Sequence, residues 1–159
     1  MKSEEKTNVM RIIAQKKVWF ESFSYPEDGT LTGEDVAAYI GVNPSAAFKT
    51  LVTVGKSGAH YVFDVPVNKE LDLKKAALAV GEKNVAMVKS KELLPLTGYI
   101  HGGCSPVGMK KFFTTTFDET VKNYETIYFS GGRIGSFIAV KREELCKLIN
   151  YNVAPLTDE

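Results

Sequence analysis

Two β-rich runs, KTLVTV at 49–54 and HYVFDVPV at 60–67, lie a few residues apart and are joined through Gly55-Lys56-Ser57-Gly58. A parallel pairing needs a crossover of a dozen residues or more, so an antiparallel hairpin is the economical fold of this segment. Trp19–Tyr25 also reads as a strand, and FFTTTF, TIYFS and SFIAV are three more. Gly131-Gly132-Arg133-Ile134-Gly135 turns the second of these three into the last.

Helical segments fall between the strands. Residues 3–17 read as a first helix, with Ser3 able to cap it and Val9, Ile12 and Ile13 at helical spacing. Thr32 and Asp35 form a capping box for a helix that stops at Gly41, and Asn43-Pro44 starts a short turn. Asp72 caps an alanine-rich helix ending at Gly81. Val85–Lys89 is predicted as a strand, Ser90–Leu94 as a helix ended by Pro95, and Tyr99–His101 as a strand. Arg142–Leu148 is predicted as a last helix with Cys146 on its apolar face, and 153–159 as a loose tail. Hairpins outnumber crossover spacings. The expected fold class is therefore α/β in the α+β sense: one compact domain over 1–159 with a mixed, mostly antiparallel sheet flanked by helices.

Composition narrows the function. Hydrophobic residues are 44% and charged residues 25% of the 159, the proportions of a folded globule. Twenty Lys and Arg against nineteen Asp and Glu leave a net charge of +1, which argues against a polybasic duplex-DNA binder. Apolar runs are far shorter than the roughly 20 residues that span a bilayer. The segment MKSEEKTNVMR lacks the apolar stretch of a secretory signal. With two cysteines and no zinc spacing, the expected compartment is the cytoplasm, with no membrane association.

The common catalytic signatures, GxSxG, HExxH, a Walker loop and a strand-to-helix GxGxxG, are absent. His60 and His101 are too few for a three-histidine metal centre. His60 reads as solvent-facing, and His101 as a polar rim residue before a glycine loop. Lys49 opens an apolar strand, where it either lies on the wet face or turns into a cleft to meet a carbonyl oxygen or phosphate. Gly102-Gly103-Cys104-Ser105-Pro106 and Ser130-Gly131-Gly132 are either tight connections or loops whose peptide N–H groups approach a ligand. Cys104 has only His101 near it in sequence, with no group to orient that histidine, so it reads as packing rather than as a nucleophile. Lys16, Lys17, Lys110, Lys111, Arg133, Lys141 and Arg142 either scatter over the surface or line one face that neutralises phosphates.

The ordered set FSYPED, AFKTLV, LDLKKAALAVG, TGYIHGGCSPVGMKK and IYFSGGRIG resembles the YbaK/EbsC family of free-standing aminoacyl-tRNA deacylases. These are related to the editing domain of bacterial prolyl-tRNA synthetases, and the resemblance spans nearly the whole chain. It implies a curved mixed sheet with flanking helices and hydrolysis of the ester between an amino acid and tRNA. The branch it is most similar to clears cysteine from Cys-tRNA(Pro) and Cys-tRNA(Cys). On this resemblance Lys49 matches the essential lysine, and Tyr25, Thr50, Gly102, Gly103, Ser105, Pro106, Ser130, Gly131 and Gly132 match substrate-binding positions. Phe137 stands where an aspartate is expected, which bears on amino-acid preference.

The resemblance further implies substrate assistance, in which the cysteine thiol attacks its own carbonyl and leaves as a thiolactone. Positioning and oxyanion stabilisation then suffice without an enzyme nucleophile, metal or cofactor. The implied partners are the acceptor end of aminoacyl-tRNA and prolyl-tRNA synthetase. Two alternatives stand beside this reading: a deacylase for another mischarged residue, such as Ala-tRNA(Pro), and an inactive module that only binds aminoacyl-tRNA.

Overall fold

The computed structural model describes residues 6–158. In chain order its elements are α1 (Asn8–Gln15), β1 (Phe20–Ser24), α2 (Gly33–Ile40), β2 (Phe48–Gly55), β3 (His60–Pro66), α3 (Leu73–Val80), β4 (Val85–Met87) and α4 (Ser90–Thr97). After them come β5 (Thr114–Asp118), β6 (Thr126–Ser130), β7 (Ser136–Lys141) and β8 (Asn152–Ala154). Single 3-10 turns occupy Pro44–Ala46, Glu119–Asn123 and Arg142–Lys147.

Local chemistry explains most boundaries. Thr32 accepts from the Asp35 N–H at 3.1 Å while Asp35 accepts from the Thr32 N–H at 3.0 Å, so both ends of the capping box are closed. Asp72 caps α3 by accepting from Lys74 and Lys75. Thr7 caps α1 through the Met10 N–H at 3.1 Å, whereas the expected cap Ser3 lies outside the described residues.

The strands form two sheets rather than one. β1, β7 and β6 make an antiparallel three-stranded sheet; β4, β2, β3, β5 and β8 make a five-stranded one. The hairpin β2–β3 is antiparallel, with Lys49 opposite Val65 and Thr50 opposite Asp64. β5 and β8 then run parallel to β3, which the long connections allow, the first carrying α3, β4 and α4 and the second carrying β6 and β7. A bridge from Ala47 to Tyr128 links the two sheets. The main core lies between them and α1, around Val9, Ile13, Phe48, Val62, Phe117, Phe129 and Ile138. A second cluster under α2 joins Val36, Ala37, Tyr25 and Phe137; a third sets α3 against Phe63, Val65 and Leu156. Both faces of β3 are thus covered, which explains its nearly continuous apolar run.

Several expectations change. α4 runs through Pro95 to Thr97, because the carbonyl that the proline leaves unbonded belongs to the exposed Lys91 and can be solvated. Tyr99–His101 is not a strand but the start of an irregular crossing, and β4 stops at Met87. The last helix is 3-10, with three residues per turn, so Leu145 and Leu148 face inward and Cys146 is exposed rather than core. His60 is half-buried, its ring 5.8 Å from that of Phe113. The expected loose tail is anchored. Asn152–Ala154 pairs with β5, Leu156 is fully buried, its N–H donates to Asp118 Oδ1 at 2.9 Å, and Lys75 Nζ donates to the Thr157 carbonyl at 2.7 Å. Among the described residues no helix is long and apolar enough to cross a membrane.

Candidate active site

A cavity of about 380 Å³ opens between the loop and start of α2, the first half of β2, the glycine loop after α4 and the end of the β6–β7 hairpin. A larger hollow of about 500 Å³, lined by Phe112, Cys146 and Tyr151 among others, presents no charged side chain. In the smaller one Lys49, Thr50, Tyr25, Gly102 and Ser130 come together with Thr30, Val36 and Phe137.

β2 supplies the cation and one hydroxyl. β4 pairs only with Thr53–Gly55, so the first half of β2 has an open edge. The Val52 carbonyl accepts from the Val88 N–H at 3.1 Å, so by strand alternation Thr50, two residues earlier, also turns its peptide groups away from β3. Lys49 Nζ lies 3.5 Å from Glu70 Oε2, but the Glu70 side chain is 93% exposed. Such a solvated pair is worth little and leaves the ammonium available to a ligand.

The two glycine segments identified from sequence pack on each other. A Cβ on Gly103 would lie 3.0 Å from the backbone of Arg133 and Ile134, so only glycine lets these chains approach so closely. At Gly131 a Cβ would collide with Ser136 Oγ, which keeps the hairpin turn tight. Ser130 Oγ accepts from the Gly132 N–H at 3.0 Å, holding the hydroxyl at the cavity wall. Gly103, Ser105, Pro106, Gly131 and Gly132 do not line the cavity. Ser105 and Pro106 are buried behind it, and Ser105 Oγ accepts from the Val107 N–H. They set the shape of the wall that Gly102, Cys104 and Ser130 present.

Tyr25 and Phe137 form the apolar side, their rings 6.1 Å apart and edge-on. Burial raises the Tyr25 phenol and a backbone hydrogen bond with Gly135 opposes it, so the ring stays neutral. The Cys104 thiol is pushed up to about 12, by burial first and then by the Asp64 carboxyl, with a Thr97 hydrogen bond opposing. A thiol held protonated in this way is a poor nucleophile. His101 sits exposed at the rim.

Among the described residues no carboxylate lines the cavity. Asp64 is fully buried in β3 behind Thr50, and a hydrogen bond of 2.6 Å joins its Oδ1 to the Thr50 hydroxyl. Its one signal in the sequence is a lone aspartate inside the apolar run HYVFDVPV. The walls from Thr30–Gly33, Val67 and Leu93 carry no signal in the sequence, because only the tertiary fold brings them in. Among the described residues no group of three or more His, Cys, Asp or Glu side chains could hold a metal ion. Among the described residues the site is a small, mostly apolar pocket with one ammonium group, several hydroxyls and peptide groups, and no acid–base pair. It can bind a small polar acyl group and stabilise negative charge on it.

Comparison with known proteins agrees in outline. The aminoacyl-tRNA editing domain family matches residues 27–148. EbsC of Enterococcus faecalis, named as a candidate Cys-tRNA(Pro)/Cys-tRNA(Cys) deacylase, is 44% identical over 158 residues, covering 98% of this chain and 96% of its own. A solved structure described as a candidate trans-editing enzyme for prolyl-tRNA synthetase is 26% identical, with a TM-score of 0.83 over 98% of this chain and 100% of its own. Another solved hypothetical protein, 24% identical, shares the fold with a TM-score of 0.83 over 94% of this chain and 99% of its own.

Proposed function

The chain belongs to the aminoacyl-tRNA editing domain family, and on that premise we propose that it is a trans-editing hydrolase that deacylates mischarged aminoacyl-tRNA. Its substrates on this reading are Cys-tRNA(Pro) and Cys-tRNA(Cys). The observation that carries it is the meeting of Lys49, Thr50, Gly102 and Ser130 on one small cavity that offers charge-stabilising donors but no activated nucleophile. An aminoacyl ester is already reactive, and a nucleophile held on the substrate itself acts at an effective concentration far above that of any external group.

The substrate sulfur, giving up its proton, attacks the ester carbonyl. A C–S bond forms, the ester C–O bond breaks, and the terminal ribose oxygen leaves with a proton. Cysteine departs as a thiolactone that water then opens. Lys49 and the Gly102 peptide stabilise the oxyanion, Thr50 and Ser130 orient the acyl group, and Tyr25 with Phe137 excludes water. With a net charge of +1 the protein has a modest field for tRNA, so prolyl-tRNA synthetase acts as the partner that delivers it. A cytoplasmic location goes with these partners.

The test is a panel of one tRNA body charged with cysteine, serine or alanine. Cysteine should be released much faster, because a serine hydroxyl stays protonated at neutral pH and alanine has no nucleophile. A thiol-reactive or amine trap should capture the thiolactone. Equal rates with cysteine and alanine, and no trapped thiolactone, would overturn substrate assistance in favour of a bound water.

A further inference from the structure

We propose that Asp64 is a positioning residue for the deacylation, setting through its single hydrogen bond whether Thr50 offers the bound acyl group a proton or only a lone pair. The proposal rests on the cavity being the deacylation site. Asp64 lies mid-strand in β3, fully buried, on the face that carries Val62 into the main core. In register it is opposite Thr50 of β2 on one side and Phe117 of β5 on the other. Thr50 Oγ1 is 2.6 Å from Oδ1, while the buried Oδ2 has no hydrogen-bond partner.

An ionised carboxylate is an acceptor only, so an orphaned, dry Oδ2 is a costly place for charge. The groups around it offer no remedy. Thr50 faces it from β2, Phe117 flanks it from β5, and the neutral thiol of Cys104 faces it from the glycine loop; among the described residues no cation pairs with it. Lys49 is opposite Val65, on the other face of the hairpin. Burial accordingly pushes the carboxyl up to about 8, against the pull of the Thr50 bond, and Asp64 is neutral at pH 7.

Its proton decides the direction of the short bond. A neutral Asp64 donates to Thr50 Oγ1 and frees the threonine's own O–H for the cavity that Thr50 lines. Ionised Asp64 accepts that O–H, and the cavity keeps only a lone pair. A carbonyl oxygen gaining negative charge beside Lys49 is stabilised by the first arrangement and not by the second.

The experiment follows cysteinyl-tRNA deacylation from pH 6 to 9.5 for wild type, Asp64→Asn and Thr50→Val, with the uncatalysed rate subtracted. Titrations of the substrate's own amine and thiol are common to all three and cancel in ratios. The Asp64→Asn amide always donates to Thr50, so its rate relative to wild type should rise about tenfold between pH 7 and pH 9 for a group titrating near 8. Thr50→Val should be slower at pH 7 and lack the wild-type loss at high pH, and Thr50→Ser should restore both. A pH-independent ratio for Asp64→Asn overturns the proposal. If that variant does not fold, as judged by circular dichroism, a Thr50→Val protein that keeps the wild-type high-pH loss overturns it instead. Failure of wild type to release any amino acid from any charged tRNA would refute the deacylase reading, which is a different outcome from an active enzyme with unaltered pH profiles.

Discussion

Asp64→Asn should also remove a large pH dependence from folding stability, by an amount that follows from burial. The carboxyl rises from an ordinary 3.8 in the unfolded chain to about 8 in the fold, desolvation outweighing the Thr50 bond. Between those values the folded protein holds a proton that the unfolded chain has lost. Stability from this residue is therefore fully present below about pH 4 and is lost as pH rises through about 8. Each pKa unit is about 1.4 kcal/mol, so the full window amounts to at most about 5–6 kcal/mol. The substituted amide has nearly the same shape and never ionises. The stability of Asp64→Asn relative to wild type should thus be smallest near pH 4, climb through neutrality and level off above pH 8. Urea unfolding followed by far-UV circular dichroism at pH 4.5, 6, 7.5 and 9 measures it, and every other titrating group cancels in the difference. A difference that stays flat within about 1 kcal/mol, or that falls with pH, would mean that Asp64 is ionised in the fold and that the desolvation reasoning is wrong.

Two further outcomes are expected. Lys49→Ala should lose on the order of 10²–10³ in deacylation rate, as removal of one oxyanion donor does, with the fold intact by circular dichroism; near-normal turnover would remove the lysine from the mechanism. Leu156→Ala should cost roughly 2–5 kcal/mol in urea unfolding, since the side chain is fully buried against α3 and Phe63, and a change below about 0.5 kcal/mol would return residues 153–158 to a loose tail.

What the sequence determined by itself was local or carried by ordered motifs. The Thr32–Asp35 box, the Asp72 cap and the β2–β3 hairpin each depend on residues a few positions apart, and all three stand in the structure as their spacing requires. Lys49 could be singled out because the run AFKTLV sat in a recognisable series, not because its pattern distinguished a cleft lysine from a wet one. Tertiary structure decided the rest. β8 is three residues with no period to detect, and it forms because β5, more than thirty positions earlier, offers an unpaired edge and Asp118 offers an acceptor. Cys146 turned outward because a 3-10 turn repeats every three residues rather than every 3.6. The two glycine segments became one wall only when the hairpin turn closed against Gly103. Asp64 shows the reason most plainly. Its letter in the sequence specifies a carboxyl group, but whether that group carries a charge depends on how many layers of apolar side chain separate it from water, a property of the packed molecule alone.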